Sequence, residues 1–167
     1  MTVVVVVGNP RAASRTRAVA EAVAQRVASA AGEGTPIRTI ELADAGGALL
    51  RWGDPGVEAW RAEVTAAAAL VIATPTYKAS YTGLLKCFLD RFDAGELGGM
   101  PTVAVMTGAS AAHALAVDVH LTPVLVEIGA SCPAPGLYVW GPDQDDPTNA
   151  VAQWWSRAKR AVSRALR

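Results

Sequence analysis

The sequence predicts a three-layer α/β fold: a five-stranded parallel sheet in the order 2-1-3-4-5, with helices on both faces. Three observations carry the prediction. Five apolar strand candidates alternate with helical patterns along the 167 residues. The first candidate holds five consecutive valines, Val3–Val7, which suits a strand buried on both faces. Right-handed crossovers leave few topologies, and 2-1-3-4-5 is the common five-stranded doubly wound order. That order places a ligand at the carboxyl ends of strands 1 and 3.

Each element follows from local pattern. The first strand is Thr2–Val7. Val19, Val23 and Val27 form the stripe of a helix over Ser14–Ala31, stopped by Gly32-Glu33-Gly34. Pro36–Leu42 alternates apolar and polar residues, as a less buried strand does. Ala43–Gly56 is loop-like and contains Asp54-Pro55. A helix over Val57–Ala68 carries Trp60 and Val64 four residues apart. Ala69–Ala73 is an apolar strand, and Thr74–Lys78 is the turn after it. Tyr81–Arg91 is helical, Gly95–Gly99 is a turn and Pro101–Met106 is a buried strand. Thr107–Ser110 is again a strand-to-helix turn. The helix over Ala111–Ile128 is apolar nearly all round, which predicts burial, in part by a partner subunit; Pro123 must kink or split it. Leu137–Trp140 is the last strand. Asp146-Pro147 predicts an N-cap and a first helical residue. The final helix carries Arg157, Lys159, Arg160, Arg164 and Arg167 on a solvated face that suits its dipole.

Composition narrows the function. The length suits one domain over residues 1–167. Hydrophobic residues make up 51% and charged residues 18%, which predicts a large core, a subunit interface, or both. The formal net charge is zero, and no basic patch argues for nucleic acid or a membrane surface. No apolar run is long enough to cross a bilayer, and residues 1–8 lack the basic start and cleavage pattern of a signal peptide. Cys87 and Cys132 form no C-x-x-C, and two cysteines with two histidines do not make a structural zinc site. No metal is expected, and the expected location is the cytoplasm.

The order 2-1-3-4-5 gathers three turns at one edge of the sheet: Gly8–Thr16, Thr74–Ser80 and Thr107–Ser110. The first offers Gly8, the hydroxyls of Ser14 and Thr16, and the cations Arg11 and Arg15. Arg15 and Arg17 also sit in the first turn of the helix, where each opposes the macrodipole by roughly 0.3–1 kcal/mol. An anion bound on the loop resolves that conflict. The local alternative is a plain Ser14 N-cap with arginines facing solvent. Neither a Walker A loop nor G-x-G-x-x-G is present. Hydroxyls and backbone without a metal-binding carboxylate suit a monophosphate. Tyr77 beside Pro75 adds an aromatic wall. A flat heterocycle on a phosphate chain fits both turns, and FMN is such a molecule.

Gly8-Asn9-Pro10-Arg11 with Ser14-Arg15, the run Ala73–Lys86, Thr107–Ser110 with Ala112–Asp118, and Leu121–Leu125 together resemble the NADPH-dependent FMN reductase family, of flavodoxin-like fold. Within it the likeness is nearest to the reductases that supply reduced flavin to two-component sulfonate monooxygenases. It spans about residues 2–130. The resemblance implies that Arg11, Ser14, Arg15 and Thr16 hold the FMN phosphate. It implies that Pro75, Thr76, Tyr77 and Lys78 form the flavin-ring loop, with Thr107, Gly108 and Ser110 as the opposite wall. It also implies FMN and NADPH, or NADH, as the reacting pair, a homodimer or homotetramer, and a flavin-dependent monooxygenase as partner. Asn9 replaces a usual Ser, Ala109 a common second Gly, and Val119-His120 lies where relatives often carry an aromatic insertion at a subunit interface.

Hydride transfer between two cofactors asks for no catalytic acid, base or nucleophile. Amides of the second and third turns are expected to stabilise negative charge on the reduced ring. Lys78 is either solvated or a flavin or nucleotide contact. His113 and His120 are expected to be packed, Asp118 to be a buried carboxylate, Asp90 to pair with Arg91, and Trp52 and Trp60 to lie in a core or interface. Alternative functions are a reductase of quinones, azo compounds or metal ions with resident FMN, and a one-electron carrier. Such carriers are typically strongly acidic, unlike this chain.

Overall fold

The computed structural model describes residues Met1–Arg167. Its sheet is five-stranded, fully parallel and ordered β2-β1-β3-β4-β5, as the sequence predicts. The strands are β1 Val3–Val7, β2 Ile37–Glu41, β3 Ala69–Pro75, β4 Thr102–Gly108 and β5 Leu137–Trp140. The main helices are α1 Arg15–Ala31, α2 Pro55–Thr65, α3 Gly83–Leu89, α4 Thr122–Glu127 and α5 Thr148–Ala165.

The valine run explains the layering. Side chains alternate along a strand, so Val3, Val5 and Val7 pack with α1 and α5, whereas Val4 and Val6 pack with α2, α3 and α4. All five are buried. On one face Val19, Val23 and Val27 of α1 meet Trp154, Ala158 and Val162 of α5. On the other, Val57, Val64, Leu85, Phe88 and Leu125 complete the core. No helix is long and apolar enough to cross a membrane.

Several boundaries differ from the sequence expectation. Strands β3 and β4 run on through Pro75 and Gly108, so Thr74, Pro75, Thr107 and Gly108 are strand residues rather than turn residues. Asp54 caps α2, with Pro55 as its first helical residue. Asp146 accepts the Thr148 amide at 3.1 Å, yet Pro147 itself is the N-cap of α5.

The 111–128 segment is not one helix. It divides into a 3-10 turn at Ala111–His113, a π turn at Val117–Leu121 and α4. Pro123 lacks an amide and crowds the preceding turn, and the chain widens just before it. The Thr122 hydroxyl donates to the Val117 carbonyl at 3.1 Å across this wide turn. His113, His120 and Asp118 are exposed, against expectation. Asp118 finds its partner within the chain, accepting the Gly136 amide at 2.8 Å. Leu115, Val119 and Val126 are 73%, 56% and 54% exposed. The apolar composition of this segment therefore reflects an uncovered surface as much as a core. Trp52 is 76% exposed and stacks beside the Arg91 guanidinium, while Trp60 packs against the core. Asp90 pairs with Lys86, and Arg91 with Glu58 at 3.1 Å.

Candidate active site

The register β1–β3–β4 brings the carboxyl ends of these strands side by side, with Val7 opposite Ala73 and Pro75 opposite Thr107. Beyond them lies a cavity of about 440 Å³. Its wall includes Arg11, Ser14, Arg15 and Thr16 from the first loop, Pro75, Thr76 and Tyr77 from the second, and Thr107 and Gly108 from β4. Nine of the eleven residues singled out from sequence thus meet at one place. Lys78 and Ser110 do not line it. Lys78 is exposed in the outer turn, and Ser110 caps the following 3-10 turn by accepting the Ala112 amide at 3.4 Å. Asn9, Ala12, Ala13, Ala109 and Gln144 also line the cavity.

The first loop is held from within the fold. Asn9 is buried; its carbonyl oxygen accepts the Arg11 amide at 2.9 Å, an Asx turn, and its amide donates to Thr16 Oγ1 at 3.0 Å. Thr16 Oγ1 lies 2.8 Å from Thr107 Oγ1. A buried polar chain therefore ties β1, α1 and β4 together, and the Thr16 hydroxyl is already engaged. Ser14 is the N-cap of α1, accepting the Arg17 amide at 3.3 Å, and lines the cavity at the same time. The cap and the cavity reading are both true of it. Gly8 serves packing rather than backbone freedom: a Cβ there would lie 2.6 Å from Leu85 Cβ.

The cations divide into two groups. Arg17 turns away from the cavity to Glu21 at 2.8 Å and Glu41 at 2.6 Å, and hydrogen bonds to these carboxylates, Glu21 first, raise its pKa further. Its conflict with the helix dipole is answered by protein carboxylates, so it is no argument for an anion. Arg15 makes only a loose, exposed pair with Asp145 at 3.5 Å, a geometry that contributes little. Arg11 has no side-chain partner in the chain. Arg11 and Arg15, with the α1 N-terminus, leave positive potential at this end of the cavity.

The second loop is a two-residue turn. Tyr77 and Ser80 exchange amide–carbonyl bonds at 2.8 and 3.1 Å, and Lys78 and Ala79 between them have φ of 52° and 65°. This left-handed pair lacks the usual Gly or Asn and costs about 1–2 kcal/mol per residue. The amides of Thr76 and Tyr77 are taken by Thr107 and Ser80 carbonyls at 2.6 and 2.8 Å, so they cannot also serve a ligand as expected. Thr76 Oγ1, in contrast, is buried and without a partner. Tyr77 is 49% exposed at the rim.

Three supporting residues escaped sequence reasoning. Gln144 donates to the Gly108 carbonyl at 2.8 Å. Thr82 donates to the Gly8 carbonyl at 2.6 Å and caps α3. Glu41 accepts the Ala13 amide at 2.9 Å. Only Thr82 had a local signal, as a threonine before Gly83 at a helix start. Gly108 has a further role: a Cβ there would fall 1.9 Å from Tyr138 Oη.

No His, Cys, Asp or Glu lines the cavity, whereas guanidiniums stand at one end and an aromatic ring with an orphan hydroxyl at the other. Residues 1–145 match the family described as NADPH-dependent FMN reductase. The chain belongs to the NADPH-dependent FMN reductase family. Membership makes it an oxidoreductase whose reacting pair is FMN and a reduced pyridine nucleotide. It is 32% identical over 130 residues to an FMN reductase (NADPH) of Escherichia coli, covering 78% of this chain and 68% of that one. It is 34% identical over 140 residues to an NADH-dependent FMN reductase of Pseudomonas putida, covering 81% and 75%. An oxidoreductase from Corynebacterium diphtheriae superposes with a TM-score of 0.81 at 30% identity, covering 99% and 97% of the two chains. An apo NADH:FMN oxidoreductase superposes with a TM-score of 0.80 at 31% identity, covering 99% and 88%.

Proposed function

We propose that this chain reduces FMN with NADPH or NADH and passes the reduced flavin to a partner monooxygenase. The observation that carries the reading is the two-ended cavity. Arg11 and Arg15 beside the α1 N-terminus suit a phosphate, and Thr76 Oγ1 with Tyr77 suits a polar, flat ring. When bound, FMN supplies the hydride acceptor for the nicotinamide.

The roles of the chain's residues follow from placement. Arg11 and Arg15 draw in the phosphate, and Ser14 and the loop backbone orient it. Thr16 and Thr107 act through their mutual hydrogen bond, which fixes the loop floor. Thr76 offers its unpaired hydroxyl to the ring edge, and Pro75 and Gly108 give the ring close approach to the backbone. Tyr77 covers the exposed side. Lys78, outside the cavity, meets the anionic part of the pyridine nucleotide. Arg17 and Ser110 keep the frame in place and touch neither ligand.

Exchange of flavin as a product suits the sparse grip. The hydroxyl of Thr16 and the guanidinium of Arg17 are both engaged by protein, which leaves few side chains for the phosphate. The exposed Leu115, Val119 and Val126 support a homodimer or homotetramer that covers the 111–128 segment. Two free cysteines suit the cytoplasm.

The test is simple. Purified protein is expected to be colourless once washed, and to consume NADPH or NADH only when FMN is added. Yellow protein that reduces a quinone without added FMN makes the flavin resident instead. No consumption of either nucleotide under any condition overturns the enzyme reading.

A further inference from the structure

We propose that Glu41 is a positioning residue that sets the preference of the Gly8–Thr16 loop for phosphorylated over unphosphorylated flavin. The proposal rests on reading that loop as the phosphate seat. Glu41 ends β2, opposite Val7, and its side chain is only 7% exposed. Both of its oxygens accept the Ala13 amide, at 2.9 and 3.2 Å, and one also accepts Arg17 Nη1 at 2.6 Å. Ala13 is the loop's left-handed residue, with φ of 51° and no glycine to make that conformation easy. Glu41 is thus the contact from outside the loop that holds its strained point.

The sign of the charge shows how it acts. Glu41 and Glu21 set two carboxylates against one guanidinium, Arg17. Such a cluster repels an incoming phosphate, so its benefit to phosphate binding must be geometric. Glu41 does not line the cavity and does not touch a ligand there. By fixing Ala13 it fixes the direction of the amides that follow, at Ser14 and Arg15, where the helix presents its N-terminus. Riboflavin carries no phosphate and is indifferent to those amides.

The experiment measures the affinity of the full chain for FMN and for riboflavin by quenching of flavin fluorescence. Glu41→Gln keeps an acceptor at the same reach and removes the charge. It should hold the FMN-to-riboflavin affinity ratio within about threefold of the parent. Glu41→Asp keeps the charge and withdraws it by one methylene. It should lower the ratio about tenfold, through FMN alone. Ala13→Gly makes the left-handed conformation easy without help from Glu41, so alone it should leave the ratio within about threefold of the parent, and in the Glu41→Asp background it should return the ratio to that range. A ratio lost in Glu41→Gln and kept in Glu41→Asp overturns the proposal in favour of a charge effect. A ratio unchanged in Glu41→Asp, or lost there and not returned by Ala13→Gly, but lost in Arg11→Ala, overturns the proposal and leaves the phosphate seat standing. A ratio unchanged in Arg11→Ala overturns both.

Discussion

The two loops that face each other across the cavity are built on opposite plans. Gly8–Thr16 is fastened by side chains, within itself from Asn9 to Thr16 and from the rest of the fold by Thr107 to Thr16 and Glu41 to Ala13. The turn Tyr77–Ser80 is fastened only to itself, by one pair of backbone bonds, and carries two left-handed residues that are not glycine. Its tyrosine is half exposed, and the hydroxyl of Thr76 just before it is unpaired. One loop is a seat finished before any ligand arrives. The other stores strain and an unmet hydrogen bond, both of which a ligand can use. On the proposed function, a phosphate would meet a fixed array of donors and the flavin ring a surface that is not fully committed.

Four changes test this contrast. The largest effect is expected from Thr16→Val, which strands the Asn9 amide and the Thr107 hydroxyl in a buried site. Unfolding free energy should fall by roughly 2–4 kcal/mol in urea titration. A loss under half a kcal/mol would show that the first loop is not held as described. Next is Tyr77→Ala, which should weaken flavin binding about tenfold while moving the urea midpoint very little. Equal losses of affinity and stability would make Tyr77 a folding residue and erase the contrast. Ala79→Gly should stabilise the protein by about 0.5–1 kcal/mol, because relief of left-handed strain outweighs the added freedom of the unfolded chain. Thermal melting reads this directly, and a lower melting temperature would count against stored strain.

The smallest effect serves as a reference outside both loops. Burial, with a contribution from Asp118, pushes the Cys132 thiol up to about 11. The folded state therefore holds this proton more tightly than the unfolded chain, whose cysteine titrates near its ordinary value. The associated stability is full below that ordinary value and is lost as pH rises toward about 11. Cys132→Ala should flatten this alkaline slope and leave flavin binding unchanged. An unaltered slope assigns the alkaline loss to other groups.

Much of this was legible in the sequence because it is written locally. Five valines, the glycine stop after Ala31 and the four-residue spacing of Trp60 and Val64 gave the elements, and handedness narrowed the sheet order. Nine of the residues that the resemblance implied line one cavity, because they lie at or just beyond the carboxyl ends of strands that the order brings together. What was hidden is tertiary. Glu41 matters because β2 pairs in register with β1, which carries residue 41 to the side of residue 7. Gln144 matters because β5 ends beside β4. Neither has a local signature. The 111–128 segment misled for a different reason. Apolar composition states that a surface avoids water, and does not state whether this chain or another covers it. Lys78, implied by the same resemblance, lies outside the cavity in the exposed left-handed turn.

Thr82 gives the two plans a common pivot. Its hydroxyl donates to the Gly8 carbonyl, where the first loop begins, and accepts the Leu85 amide at the start of α3. Its own amide donates to Thr74 Oγ1, which closes the base of the second loop. Gly8, with no side chain, lets α3 come close enough for this to happen. The rigid wall and the pliant wall are therefore geared to one tooth. One residue thus joins the base of the Tyr77 turn to the start of the first loop, so the two ends of the cavity share a hydrogen-bonded support.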